Sequence, residues 1–152
     1  MKMPIDAYTD PIRYKKEVDR IFLELPLAVA LSIEIPNEGD YKAVTISNVP
    51  ILVVRGKDGI ARVFLNICRH RGAKLCPDGR GNSRVFSCPY HAWTYNLAGD
   101  LVAILDEQDF GEVDASCLGL TPLSVEERAG IIWGSITPNN ELHLDEFLAG
   151  YD

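Results

Sequence analysis

Four residues constrain this chain more than any others: Cys68 and His70 in "CRHRGAKLC", and Cys88 and His91 in "CPYHAW". Each stretch pairs one thiol with one imidazole, and seventeen residues separate the two pairs. A fold that uses all four must bring two distant loops to one point. The segments leading into them, "VFLNI" and "RVFS", are apolar and β-prone, so each pair sits on a loop leaving a strand.

The rest of the chain supplies a scaffold of the same kind. Asp10-Pro11 starts a helix, with Asp as N-cap and Pro in the first turn. Tyr14, Val18, Ile21 and Phe22 then fall on one helical face, and Pro26 ends it. Residues 27–33, 41–46, 49–55 and 60–66 read as strands, broken by "PNEGD", Ser47-Asn48 and "GKDG". Residues 93–102 read as a hairpin turning at 97–100. Residues 105–117 are acidic and irregular, suiting a loop or short helix. Residues 121–128 and 130–136 read as two last strands, and 144–152 as a short helix. The expected class is mainly β: an antiparallel sandwich with a two-loop metal-binding subdomain at about 66–93 and a short helix at each end. No repeat or second domain is evident, so residues 1–152 read as one domain.

Two metal readings fit the four ligands. Zinc takes Cys₂His₂ sites, but its usual patterns group Cys with Cys and His with His. Here the types alternate within each half. A two-iron cluster accounts for that better, with both thiolates on one iron and both imidazoles on the other. An oxidised [2Fe–2S] core is +2; two thiolates bring it to zero, whereas four would bring it to −2. A neutral cluster takes an electron more readily. The potential therefore sits between roughly −150 and +300 mV, against roughly −400 mV for four-Cys plant-type clusters.

The motif pair resembles the Rieske domain of aromatic-ring-hydroxylating oxygenase alpha subunits. The likeness is carried by "CRHRGA" after "FLN", by "CPYHAWTY" before "NLAGDL", and more loosely by "GDYKAVTI" and "PILVVRGKDG". It implies that Cys68 and Cys88 ligate one iron and His70 and His91 the other. Around them, Arg71, Gly72, Pro89, Tyr90 and Trp93 are the expected neighbours of the cluster. Gly72 is expected to allow close backbone approach, Pro89 to stiffen its loop, and Tyr90 and Trp93 to exclude water. Ala92 stands where the family usually has Gly, which is tolerable if its φ is negative.

Respiratory Rieske proteins clamp the two loops with a disulfide and place a Ser two residues after the second His. The corresponding positions here are Ala73, Tyr90 and Trp93. Fewer hydrogen bonds to sulfur leave the reduced cluster less stabilised, so the potential is expected in the lower part of the Rieske range. Cys76 and Cys117 read as inert small hydrophobes, His143 as a surface residue and Trp133 as core.

The resemblance implies one-electron transfer, with a reductase or ferredoxin as donor and a mononuclear-iron oxygenase domain as acceptor. Only His143 follows His91, so a two-His iron triad cannot be assembled from the remaining residues. Two origins are open: an oxygenase's N-terminal domain, or a stand-alone Rieske ferredoxin. A zinc-stabilised binding module is the third alternative.

Net charge is −7, yet residues 55–84 carry eight Lys/Arg against two acids, a local +6 in a chain otherwise at −13. That segment is a candidate docking face for an acidic partner, with Arg69 and Arg71 flanking His70. Nucleic acid does not fit the acidic balance. There is no apolar run of membrane-spanning length and no signal-peptide-like stretch at the start. A cytoplasmic, reducing location is expected, where cysteines serve as ligands or free thiols.

Overall fold

The structure, a computed structural model, describes residues 4–151. Residues 1–3 and 152, at the ends of the expected domain and final helix, lie outside the described residues. Three antiparallel sheets form the framework. The strands are β1 (Leu27–Leu31), β2 (Asp40–Ile46), β3 (Val49–Arg55), β4 (Ala61–Leu65), β5 (Gly79–Asn82), β6 (Val85–Ser87), β7 (Thr94–Asn96), β8 (Leu101–Ala103), β9 (Pro122–Leu123), β10 (Val125–Arg128) and β11 (Ile131–Gly134). A central sheet runs β5-β2-β3-β4-β9, a second β1-β11-β10, and a small third β6-β7-β8.

β3 explains how the sheets assemble. Successive residues of a strand point to opposite faces. Ile51 and Val53 enter one core with Val29, Val63, Ile132 and Ile136, facing the β1-β11-β10 sheet. Leu52 and Val54 enter a second core with Phe64, Phe86, Trp93, Tyr95 and Leu101, facing the small sheet and its loops. Both faces are buried, so the strand reads as a continuous apolar run rather than an alternation. Burying each of these side chains contributes about 1.5–3 kcal/mol. An Asp at Val53 would put an unpaired charge in the scaffold core.

The two sandwich sheets are tied at one edge by an ion pair. Arg55 donates to Glu127 through both terminal nitrogens, at 2.6 and 2.9 Å, and two further N–H groups reach the carbonyls of Ile35 and Gly59. The expected strand over 121–128 is in fact two. Leu123 pairs with Val63 in the central sheet, and from Val125 the chain pairs with β11 in the other. Ser124 lies between them, its hydroxyl donating to the Asn140 carbonyl. A chain crossing between sheets this way keeps its extended character, so sequence pattern alone does not mark the break.

Other departures have local causes. The first strand stops at Leu31 because Glu34 accepts the Leu31 N–H at 2.9 Å and winds Ser32–Glu34 into a tight helical turn. β5, "GRGN", was not anticipated; it has no apolar alternation and, as the edge strand, pairs only with β2. At the N-terminus, α1 (Asp6–Thr9) precedes α2 (Pro11–Glu17), which Asp10 caps by accepting the Ile12 N–H at 2.9 Å. Then Val18–Phe22 widens into a π turn. The inserted residue rotates the apolar stripe. Phe22 and Leu23 pack on the scaffold core, while Tyr14 and Ile21, expected on the same face, are exposed. α3 (Leu144–Leu148) is the short C-terminal helix, with Leu144 buried. His143 is exposed at its start, and Trp133 is half-buried against Phe147.

The small sheet is pressed onto the central one at the β7–β8 turn. Gly99 has φ +88°, and a Cβ there would meet the Phe64 ring at 2.5 Å. Only glycine meets both demands. The expected hairpin turn at 97–100 is therefore also the contact that seats the metal-binding end on the scaffold.

Candidate metal centre

Two loops rise side by side, the first from β4 and the second from β6. They close by the same two hydrogen bonds. In the first, Cys68 N–H donates to Ala73 O at 2.8 Å and Gly72 N–H to Cys68 O at 3.0 Å. In the second, Cys88 N–H donates to Trp93 O at 2.8 Å and Ala92 N–H to Cys88 O at 2.9 Å. Each position of the first loop thus maps onto one twenty residues later in the second. The imidazoles break the correspondence: His70 lies two residues beyond its Cys, His91 three.

This closure needs a left-handed residue four places after each Cys. Gly72 (φ +74°) supplies it in the first loop and Ala92 (φ +53°) in the second. One expectation is corrected here. Gly72 supplies its left-handed φ, and a Cβ built on it meets no protein atom within 4 Å. Ala92 is not at negative φ, so its methyl carries the strain of a left-handed residue.

The four expected ligands are brought together as two pairs. Cys68 and Cys88 are neighbours within the second core, 2% and 4% exposed. His70 and His91 are half-buried, with ring centroids 4.7 Å apart. Burial pushes the Cys68 thiol up, partly offset by its hydrogen bond from Tyr95. The His70 imidazole is pushed below its ordinary value by desolvation, then by His91 and Arg71, so the neutral form that ligates metals is favoured. His91 Nδ1 is buried without a hydrogen-bond partner. A buried orphan of this kind is unusual in a native protein and suits a metal bond.

Among the described residues, no three Cys, His, Asp or Glu side chains cluster tightly enough to hold one ion. Two soft thiolates beside two imidazoles are a donor set that suits a two-iron cluster.

The surroundings are unequal. His70 lies flat against Trp93, centroids 4.8 Å apart at 10°, and meets the edge of Phe110 at 5.3 Å. Trp93 is buried, as expected of a residue that excludes water. Tyr90 covers His91 at a centroid distance of 3.8 Å, yet is itself 59% exposed and forms a rim rather than a seal. Pro89 and Arg71 are also exposed. Phe110 was missed because it sits in an acidic run whose spacing resembles an ordinary surface loop.

Tyr95 was missed too. It is fully buried; its hydroxyl accepts the Arg69 N–H at 3.0 Å and lies 3.3 Å from Cys68 Sγ. When Cys68 is a thiolate, as metal ligation requires, its sulfur has no proton to give and the Tyr95 hydroxyl is the donor of this bond. Burial, and then the Cys68 thiol, raise its pKa well above the usual phenol, so it stays a donor. The signal available in sequence was only its inward position, two residues after Trp93 on a strand.

Four of the eight cations of the basic segment are ion-paired within the fold. Arg55 pairs with Glu127, Arg62 with Asp58, Lys74 with Asp78 and Arg80 with Glu34. The cations flanking His70, Arg69 and Arg71, are exposed and form no ion pair among the described residues.

The description "Rieske [2Fe-2S] domain" belongs to a family model that matches residues 26–114, spanning both loops and all four expected ligands. The chain belongs to this family. A Rieske domain binds a [2Fe–2S] cluster, and the paired donors described above fit one. This Rieske domain is 39% identical over 151 residues to the glycine betaine monooxygenase oxygenase subunit of Chromohalobacter salexigens, covering 99% of the chain and 33% of that protein. It is 37% identical over 143 residues to the biphenyl 2,3-dioxygenase subunit alpha of Rhodococcus jostii, covering 91% and 31%. Among solved structures it is similar to the quaternary ammonium Rieske monooxygenase CntA, with TM-score 0.86, 32% identity, and 99% and 43% coverage. Against naphthalene 1,2-dioxygenase from Rhodococcus sp. the TM-score is 0.83 at 34% identity, with 94% and 35% coverage. The chain spans about one third of the length of the relatives it matches. No described helix is long and apolar enough to cross a membrane.

Proposed function

We propose that this Rieske domain is a one-electron carrier in an oxygenase system, with Cys68 and Cys88 holding one iron and His70 and His91 the other. The observation that carries the reading is the pairing itself: two loops with one closure bury the two thiols and bring the two imidazoles to 4.7 Å of one another. When bound, the cluster accepts one electron and passes it on. The chain's own residues do the rest. Trp93 and Phe110 cover His70, Tyr95 donates toward the Cys68 sulfur, and Tyr90 leaves an imidazole edge near the surface for a partner. Arg71, with Arg69, offers positive charge to an acidic partner there.

The donor is a reductase or ferredoxin, and the acceptor a mononuclear-iron oxygenase domain. Substrate chemistry belongs to that domain, which residues 1–152, a single Rieske domain in this reading, do not supply. Its reaction is aromatic ring hydroxylation or oxidation of a quaternary ammonium compound. Relatives named for each are of similar identity, 37% and 39%, and the electron supply is common to both. A cytoplasmic location is part of the proposal, and the two cysteines outside the proposed ligand set, Cys76 and Cys117, are free thiols that suit a reducing compartment.

The test is metal and sulfide analysis of anaerobically purified protein with electron paramagnetic resonance after reduction. Two irons and two labile sulfides per chain, with a one-electron rhombic signal, are expected. One zinc per chain and no sulfide would overturn the reading in favour of a zinc-stabilised module.

A further inference from the structure

The two loops share a closure but not a foundation. The second loop stands on a ladder: Ser87 pairs with Thr94, Phe86 with Tyr95 and Val85 with Asn96. In the first loop only the topmost equivalent rung exists, the isolated bridge between Ile67 and Lys74. Below it the backbones part. Leu75 turns into the core, so Asn66 has no backbone partner across the loop.

The Asn66 side chain fills that gap. It is fully buried. Its Nδ2 donates to Cys76 O at 2.8 Å, and its Oδ1 accepts Cys76 N–H at 3.2 Å. One amide thus makes a donor and an acceptor bond to a single residue's backbone, as a paired strand residue would. The Cys76 thiol, which burial keeps protonated, lies 3.6 Å from the same oxygen as a further donor. Asn66 is anchored in turn, since its own N–H donates to Pro50 O of β3 at 2.9 Å.

We propose that Asn66 is the positioning residue that holds the first loop shut, and with it Cys68 and His70, so that the metal centre opens through this loop when the amide is lost. The inference rests on the ligand set proposed above. It concerns a residue that touches no expected ligand side chain and acts through the Cys76 backbone. No aliphatic residue can replace it, and Asp cannot, because its carboxylate would face the Cys76 carbonyl without a donor.

The test uses the cluster-loaded chain and reads iron release to a chelator, the resonance spectrum of the reduced centre, and thermal unfolding of the sheets. Asn66→Ala is expected to release iron about 10-fold to 100-fold faster than the parent, the usual cost of losing such an outer support. This occurs at a temperature where the sheets stay folded, and the remaining loaded fraction shows broadened g-features. Ser87→Ala, which removes a side-chain bond to Thr94 at the mouth of the second loop, is expected to release iron close to the parental rate because the backbone ladder remains. Parental release from Asn66→Ala overturns the proposal, as does release that only keeps step with global unfolding, or equal acceleration in Ser87→Ala. Should Asn66→Ala not fold, Asn66→Ser, which can keep one of the two bonds, is held to the same criteria. A parent chain without iron would instead defeat the ligand assignment.

Discussion

The hydroxyl of Tyr95 is 3.3 Å from Cys68 Sγ and accepts the Arg69 N–H at 3.0 Å, and toward a thiolate sulfur it can only donate. A hydrogen bond to sulfur strengthens as negative charge accumulates there, so it favours the reduced state of a cluster. Tyr95→Phe keeps the buried ring and removes only this donor. It is expected to lower the midpoint potential by about 40 mV, the equivalent of about 1 kcal/mol for a one-electron couple. Redox titration followed by visible absorption checks this. An unchanged potential would mean the bond is made equally in both states.

Ala92 holds a left-handed conformation at φ +53° where its counterpart in the first loop is Gly72. Ala92→Gly is expected to stabilise the protein by about 1 kcal/mol, because relief of the strain exceeds the added chain entropy of glycine. For a domain of this size that is about 2–4 °C in Tm. Calorimetry of parent and variant measures it; a lower Tm in the variant would contradict the strain argument.

Glu127 sits below the ordinary carboxylate range, first because Arg55 hydrogen-bonds it, against an opposing effect of burial. A depressed carboxyl contributes stability that is complete above its unfolded pKa, about 4.3, and lost as pH falls through the folded value. Glu127→Gln is therefore expected to cost about 1–3 kcal/mol at neutral pH, since the buried guanidinium loses its charged partner. The gap to the parent should narrow as the pH drops below about 4. Urea unfolding at several pH values tests the sign; a gap that widens in acid refutes it.

Removing the metal should act on one end of the molecule. The cysteines belong to the core that contains Trp93 and Tyr95, whereas the core of Val29, Val53 and Ile132 contains no expected ligand. Chelation under reducing conditions is expected to speed hydrogen exchange at 66–76 and 86–97 by about 10-fold or more while β1, β10 and β11 stay protected. Uniform loss of protection would show instead that the metal supports the whole fold.

The legibility of this chain was uneven for physical reasons. Cys68, His70, Cys88 and His91 stood out because mixed ligand types at short spacing have few other uses, and the central strands stood out because both their faces are apolar. β5 was invisible, since an edge strand of glycine and polar residues has no buried face to pattern it. The break at Ser124 was hidden because changing sheets costs the chain none of its extended signature. The left-handed turn at Ala92 could not be read from an alanine. Asn66 and Tyr95 were overlooked for a shared reason: each acts through a bond to a residue ten or more positions away, and such bonds leave no periodicity.

β3 gives its odd-numbered apolar residues to one core and its even-numbered ones to the other. Neighbouring positions on a single strand are thus independent dials. A substitution at Val53 adjusts how firmly the domain stands, while one at Leu52 is felt by the metal-bearing end. For an engineer, the transplantable part is the small sheet, its two loops and one face of the central sheet; the opposite face can be redesigned for durability without retuning the redox centre.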